Sequence, residues 1–420
     1  LSKKLTETDD LRRRLARLGI TKGREFQPKP QHVEGQDIEV LVEGQVIETE
    51  AGACYLISRA YAPSTLHGPH RLEEWHHLSA PTLAMLAGDP RLEHVQPGQY
   101  IFLDTETTGL GGGAFAFLVG IGCFEQTGFV VRQYFLREPG EEKAMLGLLG
   151  SLLSAGGALV TFNGRTFDVP LLTGRLVMSR RSPAISSLPN LDLLHPARRL
   201  WRRRLDSCAL GSLESEILGV HRTHNDVPGS LIPYLYRRYL ETRNACDMVR
   251  VLYHNEIDLL SMVSLGVRLA AAFARPDRPG MPGDDRLSLA RWFEGQGRTA
   301  EAQAAYQAVL DEAGDSEIRY DALVGLAYLF KRTEHREEAV PLWTDVAGLR
   351  QDILGHEELA KHFEWYGIDL EKALAWTEAG LTLAESWRPG WRRTEALRTL
   401  QHRRERLLRK LRNNQSSEAG

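Results

Sequence analysis

The stretch from Tyr100 to Leu110, YIFLDTETTGL, constrains this chain more than any other. Tyr100 to Leu103 is an apolar run that Gly109 later interrupts, the pattern of a buried strand. Side chains two apart on a strand share a face, so Asp104 and Glu106 are carried to one point near its end. Two carboxylates crowded out of water are costly unless a cation neutralises them, which makes the pair the start of a divalent metal site. A bare Asp-x-Glu would otherwise be two solvated acids at a strand end.

The longer string DTETTGL resembles the first motif of the DnaQ-like 3′-5′ exonucleases, a ribonuclease H-like family that holds two metal ions with four acidic residues. The resemblance implies two more acids downstream. In TFNGRTFDVPLL, an aspartate before a helix starting near Pro170 would by itself be an N-cap. Asn163, Phe167 and Asp168 together resemble the family's second motif, which assigns Asp168 to the site and Asn163 and Phe167 to the substrate.

The third acid is expected from a helix over Val249 to Phe273, whose Val249, Leu252, Leu260, Val263 and Val267 form an apolar stripe. His254 and Asp258, four apart, share one of its faces and suit a general base beside a metal ligand, although such a pair alone is more often a surface ion pair. The family's histidine branch usually separates base and aspartate by four residues and its tyrosine branch by three. Here His254 has the tyrosine branch's spacing and Tyr253 the other. Four residues turn about 400°, nearly back into line with Asp258, and five leave Tyr253 about 140° away, so His254 is the expected base.

The resemblance implies that Asp104 bridges two Mg²⁺ or Mn²⁺ ions, with Glu106 and Asp258 completing one sphere and Asp168 supporting the second. It also implies that Thr107, Thr108, Gly109 and Leu110 hold the terminal nucleotide. Five arginines around Trp201 (Arg198, Arg199, Arg202, Arg203 and Arg204) can grip a single-stranded backbone, with Arg199 and Arg203 the expected contacts. A solvated helix face is the rival reading. Asp192 is expected to be structural, and His67, His70, His76 and His77 to be loop histidines. The segment from His221 to Leu240, with the HNEID string at His254, is similar to the bacterial subfamily labelled YprB-like, whose members can carry C-terminal tetratricopeptide repeats.

Strands followed by alternating strand and helix predict an α/β, ribonuclease H-like domain over 99–273. Before it, 1–98 reads as a helix near 8–18, a linker and a small β-containing region over 39–61 that acts as a lid or appendage. After it, 274–286 is a Pro/Gly-rich linker, and 287–413 an all-α domain with tetratricopeptide-like spacing. There Ala302, Ala339 and Ala373 are each followed four residues later by Tyr306, Trp343 and Thr377. Such a stack exposes a groove for a protein partner, and the basic segment His402 to Asn413 reads as a frayed helix.

No uninterrupted apolar run reaches the roughly 18 residues of a membrane span. The four cysteines have no metal or redox spacing, which fits a reducing cytoplasm. A net charge of −3 neither marks nor excludes nucleic-acid binding, which depends on local cations. The expected function is a metal-dependent 3′-5′ exonuclease on single-stranded DNA or RNA. A structure-specific endonuclease and a non-catalytic nucleic-acid-binding adaptor are the alternatives.

Overall fold

The computed structural model describes residues 36–109, 111, 113–223, 226–276, 278, 280–312, 316–349 and 352–418. The helix expected near 8–18 and the substrate contact Leu110 lie outside them. In chain order, β1 (Gln45–Thr49), β2 (Gly52–Tyr61), β3 (Leu66–His67), β4 (His70–Arg71) and α1 (Ala80–Ala87) precede β5 (Tyr100–Thr107). Then come β6 (Ala116–Glu125), β7 (Gly128–Phe135), α2 (Glu142–Ala155), β8 (Ala158–Thr161) and α3 (Asp168–Met178). They lead into β9 (Asn190–Asp192), α4 (Leu194–Trp201), α5 (Ile232–Thr242) and α6 (Cys246–Ala274). The C-terminal region is helical: α7 (Gly283–Gly295), α8 (Thr299–Glu312), α9 (Ser316–Arg332), α10 (Arg336–Leu349), α11 (Leu354–Trp365), α12 (Leu370–Glu385) and α13 (Trp391–Glu418).

A seven-stranded mixed sheet runs in the order β1-β2-β7-β6-β5-β8-β9. The β5, β8 and β9 ladder is parallel and the remaining pairs are antiparallel. Tyr100 to Leu103 of β5 are all buried because both faces of the sheet are covered. Tyr100 and Phe102 pack with Trp75 and α6 on one face, and Ile101 and Leu103 pack with α2, α3 and α5 on the other. Gly266 permits the Trp75 contact, since a Cβ there would lie 2.4 Å from the indole. α6 has the length and composition of a membrane-spanning helix, yet 72% of its apolar window is buried inside the fold, as a core helix requires.

The β content expected over 39–61 is present, but it forms no separate appendage. Tyr55 to Tyr61 of β2 pair with β7, so this hairpin extends the central sheet. Nor is the C-terminal region independent of the α/β body. α7 lies against α4, and one apolar cluster runs from Trp75 and Phe102 through Trp292, Phe293 and Tyr306 to Leu326. From α7 onward each helix packs on the next, the arrangement of helical repeats. Ala302, Ala339 and Ala373 are buried at the helix contacts together with Tyr306, Trp343 and Thr377. The terminal segment expected to fray is part of the helix α13.

Candidate active site

β8 pairs with β5 only as far as Phe102, so the β5 edge beyond that point is open to the start of α3. There Asp168, buried at the first position of α3, accepts a hydrogen bond from Thr105 Oγ1. Asp104 and Glu106 continue the face of Tyr100 and Phe102, which turns them toward α6. A register shift in the β5–β6 ladder between Glu106 and Thr107 ends the regular strand at the acids.

Asp104 is held from α6 by Asn255, whose Nδ2 donates to Oδ2 at 2.8 Å. The orientation of this buried amide is set by Gln133, whose Nε2 donates to Asn255 Oδ1 at 2.9 Å and to the Leu252 carbonyl at 2.7 Å. Room for it comes from Gly120, paired with Asp104 across β6, where a Cβ would fall 2.2 Å from Asn255 Oδ1.

The four predicted acids converge. Burial holds the Asp104 carboxyl well above its ordinary range, and repulsion from Asp258 and Asp168 adds to this. Glu106 is likewise raised by burial and by Asp104, Asp258 and Asp168. Burial takes Asp168 up to about 6 against the Thr105 hydrogen bond, and raises Asp258 even with Arg222 and His254 beside it.

His254 stands four residues before Asp258 with its Nε2 3.6 Å from Asp258 Oδ2 and 4.0 Å from Glu106 Oε1. Its Nδ1 lies 2.7 Å from Asp226 Oδ1, a carboxylate that can accept its proton and hold the ring in place. Nε2 faces the acids. Tyr253 is turned away, its hydroxyl accepting from Thr223 N–H at 3.4 Å.

A cation that sequence reading did not assign sits among these groups. Arg222 donates to Asp258 through Nη2 and to Glu214 through Nε (2.6 Å) and Nη2 (2.7 Å), and its Nη1 lies 3.0 Å from His254 Nδ1. Glu214, only 1% exposed, also accepts from Ser261 Oγ at 2.6 Å, and His67 Nε2 meets that hydroxyl at 2.8 Å. Arg222 and Asp226 lie in the HRTHNDVPGSLIPYLYRRYL string, but nothing local in it marks them as neighbours of an acid 30 positions away.

A cavity of about 740 Å³ opens beside the acids, lined by Asp104 and Asp258 at one end and by Phe162, Asn163, Arg198 and Arg202. Asn163, at φ 66°, is held in the left-handed region by Asp192, which accepts its N–H at 2.7 Å and those of Arg165 and Leu194 at 3.1 and 3.2 Å. Asp192 is thus structural. The expected contacts Arg199 and Arg203 are placed elsewhere. Arg199 covers the Trp292 ring at 5.3 Å, while Arg203 pairs with Asp284 and Asp321 and Arg204 with Asp285, joining α4 to α7 and α9. Burial of Leu194, Ala197, Leu200 and Trp201 fixes the roll of α4, and one residue along a helix is a turn of about 100°. That difference brings Arg198 rather than Arg199 to the cavity, and Arg202, the residue that caps the helix, lines it as well.

Thr107 and Thr108 hold the loop after β5 through Thr107 Oγ1 to the Gly109 carbonyl (3.2 Å) and Thr108 N to the Phe115 carbonyl (3.1 Å), with Gly109 at φ 150°. Phe167, half exposed, precedes α3. Of the loop histidines, His70 pairs with Glu74 and His67 is buried.

A ribonuclease H superfamily profile matches residues 101–270. The uncharacterized protein YprB of Bacillus subtilis is 34% identical over 289 residues, which cover 67% of this chain and 68% of that protein. The chain belongs to the ribonuclease H superfamily. The matched span takes in β5 through most of α6 and so includes all four acids and His254. Superfamily membership points to a nuclease acting on nucleic acid, and nucleases of this superfamily generally use divalent metals.

The donor set agrees with that chemistry, since four carboxylates offer the hard oxygen ligands that Mg²⁺ and Mn²⁺ take. As placed, however, among the described residues no three His, Cys, Asp or Glu side chains stand in coordinating positions. Asp104 is turned to Asn255, Asp168 to Thr105 and Asp258 to Arg222. The acids are gathered, and three of the four are engaged by protein partners.

Proposed function

We propose that this protein is a metal-dependent nuclease that removes nucleotides in the 3′-5′ direction from single-stranded DNA or RNA. The observation carrying this reading is the convergence of Asp104, Glu106, Asp168 and Asp258 beside the Nε2 of His254, at one end of a cavity that Arg198 and Arg202 line. The four carboxylates would hold two divalent cations, Mg²⁺ or Mn²⁺, which supply Lewis-acid stabilisation to the phosphate and the leaving oxygen. His254 takes the proton of the attacking water on Nε2, and Asp226 holds the ring and stabilises the imidazolium. Arg198 and Arg202 take backbone phosphates, and Phe162 and Asn163 border the nucleotide nearest the acids. Asn255 and Thr105 orient Asp104 and Asp168.

One observation favours a second reading. The Arg222 guanidinium on Asp258 already supplies a counter-charge, as a non-catalytic binding module would need. Incubation of 5′-labelled single strands with Mn²⁺ separates the two, with Asp104→Ala as control. Stepwise shortening by the wild type alone supports the exonuclease. Tight binding with no cleavage beyond the control supports the adaptor. Cleavage that persists on a 3′-blocked strand assigns an endonuclease.

A further inference from the structure

A second cavity, of about 320 Å³, opens in the C-terminal stack where α10, α11 and α13 meet. Five cations line it (Lys331, Arg336, Lys361, Arg403 and Arg406) against one acid, Glu358. Below them the fully buried Glu364 accepts from Arg403 Nη1 (2.9 Å), Arg406 Nε and Nη2 (2.8 and 2.6 Å) and Lys410 Nζ (2.9 Å). Glu358 is shared by Lys331 and Lys361, Glu357 lies 3.9 Å from Lys361, Arg336 meets the exposed Glu334, and Glu337 lies 3.4 Å from His362 at the rim. Burial acts to raise the Glu358 and Glu364 carboxyls, but the cations outweigh it and hold both below their ordinary range.

Here three cations converge on Glu364 and two on Glu358, so these two buried acids fix cation positions, while the other acids at the groove, Glu334, Glu337 and Glu357, lie at its rim. The Nε donors of Arg336 and Arg403 are buried with no acceptor in the protein. Two aromatic rings share the groove: Trp365 and Tyr366 are 56% and 54% exposed, with Lys410 over the first at 3.9 Å and Arg336 over the second at 4.3 Å. One wall is α13, which carries nine Lys and Arg against three Glu in a chain whose overall charge is −3.

We propose that this groove is a second binding site, for single-stranded nucleic acid, whose phosphates take the fixed cations and whose bases stack on Trp365 and Tyr366. An acidic peptide would use the charges but leave two half-exposed rings without a role. The site gives the helical region a direct hold on the polymer that the central domain acts on. The hold is independent of hydrolysis.

Fluorescence anisotropy of a labelled oligothymidylate of about 20 nucleotides, with the full chain in chelator, tests this. Trp365→Ala combined with Tyr366→Ala is expected to weaken binding at least about tenfold with the melting temperature unchanged, as loss of two stacking rings requires. Arg406→Gln with Lys410→Gln should flatten the dependence of log affinity on log salt by about 1.4, two single-strand phosphate contacts. If the second variant melts early, the first still decides, because its side chains are largely exposed. Unchanged affinity in the aromatic variant overturns the proposal. So does a polyglutamate peptide that competes with the oligonucleotide and binds wild type and aromatic variant equally, which marks an acidic protein partner. Because binding is read without cleavage, an inactive central domain would leave the result intact.

Discussion

Replacing Arg222 by glutamine tests whether the acid cluster depends on an internal cation. In the wild type one guanidinium satisfies Glu214 through two bonds of 2.6 and 2.7 Å and also bonds Asp258. Its removal leaves Glu214, 1% exposed, with only Ser261 as donor. Breaking a buried pair by deleting one member costs about 3–5 kcal/mol, because the remaining charge stays buried without its partner. In a body of this size about 1 kcal/mol moves the melting temperature by only about 1 °C, so Arg222→Gln should melt roughly 4–6 °C lower. The assay is thermal unfolding followed by circular dichroism at neutral pH in chelator. Glu214→Gln added to Arg222→Gln removes the stranded charge and should recover a good part of the loss. Mn²⁺ should raise the melting temperature of Arg222→Gln more than that of wild type, since Asp258 has lost its counter-cation and binding to the native state is stabilising. A variant that melts within about 1 °C of wild type in chelator, about 1 kcal/mol, would show that Arg222 is not the cation on which these carboxylates depend.

Gly120→Ala places a methyl 2.2 Å from Asn255 Oδ1, so Asn255 must leave Asp104, and nuclease activity should fall by about one to two orders of magnitude at a stability cost of about 1–3 kcal/mol; single-turnover cleavage and thermal unfolding read the two effects. Burial lowers the His67 pKa to about 4 from 6.5, so the unfolded chain takes the proton first. Stability is complete above pH 6.5 and falls as the pH drops toward 4, by about 2 kcal/mol between pH 7.5 and 5, and denaturation curves of His67→Gln should lack this component. Arg198→Ala with Arg202→Ala should raise KM severalfold at unchanged melting temperature, whereas Arg199→Ala with Arg203→Ala should lower the melting temperature by several degrees and leave KM alone, because only the first pair lines the cavity.

Much of the site was legible because its elements announce themselves locally. The apolar run ending in Asp104 and Glu106 forms the expected strand, and the stripe from Val249 to Val267 forms the expected helix with His254 and Asp258 on the face turned to it. Arg199 and Arg203, expected at the site, lie instead against Trp292, Asp284 and Asp321, and Arg198 and Arg202, each one residue earlier, line the cavity. Spacing supplies a helix but not its roll about its axis, and the roll of α4 is set by Leu200 and Trp201 entering a core shared with α7. The N-terminal strands were read as an appendage for a related reason: alternation reveals a strand, not which distant edge will pair with it, here β7.

The order of the acids, the placing of the proposed base His254 one helical turn before Asp258 and the periodicity of the helical region follow from short-range chemistry, and the chain alone determines them. Only the tertiary structure decides that Arg222 lies on Asp258, that Asn255 holds Asp104 through space left by Gly120, and that Asp226 lies against the ring of His254. Each of these is a contact between groups tens to more than a hundred residues apart in sequence. Its energy depends on burial, and burial exists only once the sheet and α6 have closed around it.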